Sequence, residues 1–151
     1  MNPLKHYRVS FDLPGILLFL MIMLPNFIWF SVPIPNDILR AESVTPQLDF
    51  VASVVQAVMI AALCILINRD APRPMSMNAR LGVLMALLFY FIGWILYYLG
   101  FMGPVVILIL CFAPCIAFLV FSAARQNAVA FVTAGLFLFL HLIFVLVNFL
   151  L

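Results

Sequence analysis

The chain has 151 residues, 68% of them hydrophobic and 8% charged, with a formal net charge of +2. A soluble domain carries about 25% charged residues, so a chain this apolar could not clothe a surface in polar groups, and its small charge offers no footprint for nucleic acid. The length suits a single transmembrane domain over residues 1–151 with nothing left for a soluble part.

Five apolar stretches follow one another: Gly15–Val32, Leu48–Ile67, Leu81–Leu99, Val105–Ser122 and Ala128–Leu151. A helix needs about 20 residues to cross a hydrocarbon core, and each stretch is close to that. Transmembrane strands would show alternating polarity, which these segments lack. The expected fold class is therefore all-α: a polytopic membrane protein, a five-helix transmembrane bundle with the lipid bilayer as its solvent. A four-span arrangement, with one stretch lying in the interface, is the alternative.

The first stretch follows Asp12-Leu13-Pro14, which reads as an N-cap with proline in the first turn. A basic start before an apolar core also imitates a signal peptide. Small residues before a cleavage point are missing, however, and Pro33 and Pro35 stand where the cut would fall, so the helix is expected to be retained. In the next loop, Asn36–Arg40 suits one short interfacial helical turn, and Thr45-Pro46 reads as an N-cap and N1 pair. Asn68–Arg80 holds Pro72, Pro74 and three arginines. Gly100–Pro104 and Ala123–Asn127 are tight hairpins.

Orientation follows from the basic residues. Lys5, Arg8, Arg69, Arg73, Arg80 and Arg125 all fall on one side of a five-span topology, and Arg40 alone falls on the other. The positive-inside rule then places the N-terminus in the cytoplasm and the C-terminus outside. Trp29, Trp94, Tyr97 and Tyr98 gather towards the outer ends, as an aromatic belt would.

Polar groups inside a bilayer are costly and turn towards the bundle interior. Counting about 1.5 Å of rise per residue from the outer ends puts Asn26, Gln56, Tyr90, His141, Cys111 and Pro114 about 9–15 Å deep. One outer layer thus receives a polar group or a proline break from every helix. Asp49, Ser53 and Gln56 share a face of the second helix at i, i+4 and i+7. His141 shares a face with Asn127, Ala130, Ala134 and Asn148, opposite Phe139, Ile143, Leu146 and Leu150. Gly82, Ala86, Tyr90 and Gly93 give the third helix a similar small face. Two readings of this layer are open. Asn26, Gln56, Tyr90 and His141 bond one another across the bundle, or they line a small ligand-binding pocket with Asp49 at its mouth. For Asp49 the simpler role is a first-turn carboxylate favoured by the helix dipole.

Cys64, Cys111 and Cys115 all lie within spans. Cys111 and Cys115 share a helix face and could join His141 in a soft metal site. Ordinary packing accounts for them more simply, so neither metal nor cofactor is expected. No Asp, Glu, Lys or Arg sits deep in a span, where ion-coupled pumps and proton relays carry them. Phosphate-binding loops and hydrolase motifs are missing too. An enzyme is not expected, and no catalytic residue is assigned.

Leu24-Pro25-Asn26-Phe27-Ile28-Trp29 is followed by Pro33-x-Pro35-Asn36-Asp37, by Thr45-Pro46-x-Leu48-Asp49 and, later, by Phe112-Ala113-Pro114-Cys115. This order resembles a group of small multi-span membrane proteins of Gram-positive bacteria. The resemblance implies a bacterial inner (cytoplasmic) membrane and carries no catalytic residue. The five-span plan is also similar to the tryptophan-rich sensory protein, or translocator, family. The chain departs from that family in having only two tryptophans and no Pro- and Trp-rich first loop.

Two functional classes follow. One is an accessory or ligand-binding bundle, working through a partner membrane protein, a second copy of itself or the outer polar layer. Ala57 and Ala61 on the second helix would suit close helix contact. The other is a permease for a small neutral or apolar solute without ion-coupling carboxylates.

Overall fold

The computed structural model describes residues 3–71 and 74–151, so Pro72 and Arg73 lie outside the described residues. Five long helices carry the architecture: α1 (Leu13–Ser31), α2 (Pro46–Ile65), α3 (Met77–Tyr98), α4 (Pro104–Ala124) and α5 (Ala128–Val145). A π-helical turn, Leu146–Leu150, extends α5. All five are long and apolar enough to cross a membrane, the plan of a multi-pass membrane protein.

Proline sets several of the helix limits. α1, α2 and α4 each take a proline in the first turn, where the missing N–H costs nothing. α1 stops at Ser31 because Val32, forced towards extended backbone by the following Pro33, leaves the helical region (φ −116°, ψ 104°). Between α1 and α2, Ile38–Arg40 forms a short 3-10 turn capped by the Asp37 carboxylate. Gly100 turns the chain between α3 and α4 at φ +90°, a conformation closed to most side chains.

The helices form a ring. α3 packs along α4, α4 along α5, and α5 along α2, while α1 closes the circle more sparsely against α2 and α3. Small residues permit the close approaches. A Cβ at Gly93 would meet Ile109 at 2.9 Å, and one at Gly15 would collide with the backbone carbonyl of Leu63. Ala130 and Ala134 are fully buried at the α5 interface. Outside the ring, Leu17, Leu24 and Phe27 on α1 and Leu84, Leu88 and Ile95 on α3 are exposed, as a hydrocarbon solvent requires.

Some local expectations need correction. The second span does not run helical to Ile67. It ends at Ile65, and β2 (Leu66–Asn68) pairs antiparallel with β1 (Tyr7–Val9), Tyr7 opposite Asn68. This pairing satisfies backbone groups that a terminated helix leaves open. Asp12 and Thr45 hold the N-cap positions of α1 and α2, but neither side chain caps. The Asp12 carboxylate instead forms a forked ion pair with Arg125, which donates from Nε at 3.0 Å and from Nη2 at 2.8 Å. Thr45 Oγ1 accepts from Asn148 Nδ2 at 2.8 Å.

Candidate functional site

A cavity of about 380 Å³ opens in the half of the bundle that carries the α1–α2 loop. Its wall takes residues from every helix. α1 and α2 contribute matching rows at i, i+4, i+7 and i+11: Phe19, Met23, Asn26 and Phe30 facing Asp49, Ser53, Gln56 and Ile60. Tyr90 and Trp94 come from α3, Cys111 and Pro114 from α4, and Phe137 and His141 from α5. α1 is the most sparsely packed of the five helices, and its residues form one side of this space. Towards the opposite end, Met59, Leu63, Phe121, Ala130 and Ala134 close the bundle at 4% exposure or less.

Pro25 shapes the α1 side. Its missing N–H leaves the Met21 carbonyl without a helical donor and loosens that turn. The neighbouring Ile22 carbonyl accepts from Asn26 Nδ2 at 2.9 Å and from Tyr90 Oη at 3.2 Å. Asn26 Nδ2 also donates to Tyr90 Oη at 2.7 Å, joining α1 to α3. Pro114 removes the donor for the Leu110 carbonyl on the α4 side, and Leu110 also lines the cavity.

The residues of the expected polar layer therefore divide into two sets. Asn26 and Tyr90 are bonded to each other. Gln56, His141 and Asp49 line the same cavity, yet their side chains make no hydrogen bond to any described residue. The His141 ring is held by stacking instead, nearly parallel to Phe137 (5.1 Å, 15°) and to Phe144 (6.0 Å, 9°). Cys111 lies in the wall while Cys115 is buried in the core. Among the described residues, no three His, Cys, Asp or Glu side chains gather as a metal set would require.

Above the cavity sits a polar knot that sequence spacing did not reveal. The Asp37 carboxylate accepts from Trp29 Nε1 (2.7 Å), Tyr97 Oη (2.5 Å), Arg40 Nε (3.0 Å) and the Leu39 amide (3.2 Å). The Arg40 guanidinium carbon also lies 4.8 Å from the Trp29 ring centroid. Tyr97 is fully buried and Trp94 is 6% exposed. These two aromatics thus face the bundle interior rather than forming a lipid-facing belt. Asp37 and Tyr97 are 60 positions apart, so only the folded chain brings them together. Nearby, Asn148 Oδ1 accepts from the Val44 amide at 2.7 Å and ties the same loop to the end of α5.

No family model matches the chain. No curated protein and no solved structure matches it either. The fold defines a multi-pass helical membrane bundle with an internal cavity in one half.

Proposed function

We propose that this protein is a ligand-binding membrane bundle that takes a small, largely apolar molecule into the cavity. One observation carries the reading: Gln56 and His141 face a cavity of about 380 Å³ with no partner for their polar side-chain atoms among the described residues. That volume lies in the range of small-molecule sites, about 300–1,000 Å³. A few convergent polar groups on a mostly aromatic wall also suit such a site. The tightly packed core beneath the cavity favours binding over conduction. The crowding of basic residues at the other end supports an N-terminus in the cytoplasm and a cavity facing outward. The sequence resemblance supports a bacterial cytoplasmic membrane.

The test is ligand-induced stabilisation of the purified protein by small aromatic solutes such as indole and benzyl alcohol. Stabilisation is expected in the wild type and should be lost in Gln56→Leu and His141→Leu, with helix content unchanged by circular dichroism. If both variants respond as the wild type does, or if no solute stabilises it, the cavity is not a binding site. An accessory role through a partner is the second reading, supported by Ala57 and Ala61, whose small side chains are exposed on α2. Cross-linking in native membranes would then capture one specific protein, and recovery of the monomer alone would count against it.

A further inference from the structure

We infer that the cavity selects an organic cation: a molecule with one positive nitrogen centre on an apolar body. This rests on the cavity being a binding site and adds the charge of its occupant. Three features of the wall combine to support it.

The first is the carboxylate. Among the described residues, Asp49 is the only Asp, Glu, Lys or Arg in the wall. Elsewhere, Asp12 is paired with Arg125, Asp37 with Arg40, and Asp70 with His6, while Glu42 is exposed in the loop outside the cavity wall. Asp49 stands in the first turn of α2 with no ion-pair partner among the described residues. The half-buried carboxylate would attract a cation, repel an anion and add nothing to the binding of a neutral solute. A cation completes the pair.

The second feature is aromatic. Trp29, Tyr90, Trp94, Phe137 and Phe144 all line the cavity. Ring faces attract cations through their quadrupoles, Trp most strongly. The Arg40 guanidinium already uses one such face at the rim, and its charge is met by Asp37 at 3.0 Å.

The third feature is the field. The loop and helix start at this end carry Asp37, Glu42 and Asp49 against Arg40 alone, whereas at the opposite end Lys5, Arg8, Arg69, Arg80 and Arg125 outnumber Asp12 and Asp70. The mouth is therefore the acidic pole of the molecule and concentrates cations. A neutral solute was the expectation while Asp49 could be read as serving only the α2 dipole. Its place in the cavity wall with no partner changes that.

The test uses an isosteric pair, benzyltrimethylammonium and neopentylbenzene, which differ only in a charged nitrogen for a carbon. Trp29 and Trp94 are the chain's only tryptophans and both line the cavity, so intrinsic fluorescence reports occupancy. Free ligand is measured by equilibrium dialysis to correct for partition into detergent. The cation should bind about tenfold more tightly than its isostere. Asp49→Asn should reduce that preference several-fold and Asp49→Glu should keep it. Equal binding of the two probes, or an unchanged preference in a folded Asp49→Asn, overturns the cation inference and leaves the cavity reading intact. If Asp49→Asn does not fold, the wild-type comparison decides alone. Binding of neither probe overturns both.

Discussion

Substituting Arg125 by Met leaves the Asp12 carboxylate in place with no cation beside it. Asp12 is 5% exposed and Arg125 is 8% exposed, and the guanidinium reaches both carboxylate oxygens at 2.8 Å. Breaking such a pair from one side costs about 3–5 kcal/mol, because the remaining charge stays buried and uncompensated. Asp12→Ala should cost less, near the lower end of that range, since a freed arginine can extend its head towards the interface. The double variant buries neither charge and is expected within about 1–2 kcal/mol of the wild type. Unfolding by SDS, followed by tryptophan fluorescence, measures all four proteins. The double variant must then be more stable than Arg125→Met alone. If the two single effects instead add to within about 0.5 kcal/mol in the double variant, the pair contributes nothing as a pair.

Three further outcomes follow from other contacts. Gly15→Ala places a methyl against the Leu63 carbonyl and should destabilise the bundle by about 1–3 kcal/mol. Gly135→Ala, where a Cβ meets nothing within 4 Å, should stay within about 0.5 kcal/mol; equal effects in the same SDS titration would refute the close α1–α2 approach. Tyr97→Phe removes a charge-assisted hydrogen bond to Asp37 and should cost about 1.5–3 kcal/mol, with faster proteolysis of the α1–α2 loop as the local readout; unchanged stability and cleavage would show that the knot does not hold the loop. Cysteines introduced at Asn36 and Ser76 should label with impermeant maleimide from opposite faces of the membrane, Asn36 from outside; labelling from one face would exclude the five-span topology, and the reverse pattern would invert the bundle.

The five spans were legible because lipid imposes one simple rule: about 20 apolar residues per crossing, separated by polar or proline-marked breaks. The limits drifted by a few residues where interfacial groups decide, as at Ile65, where the chain leaves the helix to pair with Tyr7–Val9. The layer of Asn26, Gln56, Tyr90 and His141 was legible from depth and helical phase alone. Which members bond and which stay open was not, since that depends on how far α1 stands from α2. The Asp12–Arg125 pair lay beyond reach for another reason. Asp12 has a complete local explanation as an N-cap, and nothing nearby announces a partner 113 positions away. The Asp37 knot is similar, built on a loop carboxylate with an ordinary solvent-facing role that the fold recruits across the bundle, while Asn148 was legible as facing inward but not as the tether to Val44 and Thr45.

The polar layer also allows a test by magnitude. In a purely structural layer, every member is bonded and any truncation destabilises. Asn26 and Tyr90 fit that description, with bonds at 2.7–3.2 Å to each other and to the Ile22 carbonyl. Gln56 does not, since its amide faces a mostly apolar wall with no described partner. Its amide is not sealed from the cavity space, so water can meet it when no ligand does. Gln56→Leu should therefore leave the unliganded protein within about 0.5 kcal/mol of the wild type while removing ligand binding. Asn26→Leu, by contrast, should destabilise it by about 1 kcal/mol or more. Loss of stability in both variants would mean that Gln56 is part of the scaffold after all, and the polar layer would then be a structural seam rather than the wall of a site.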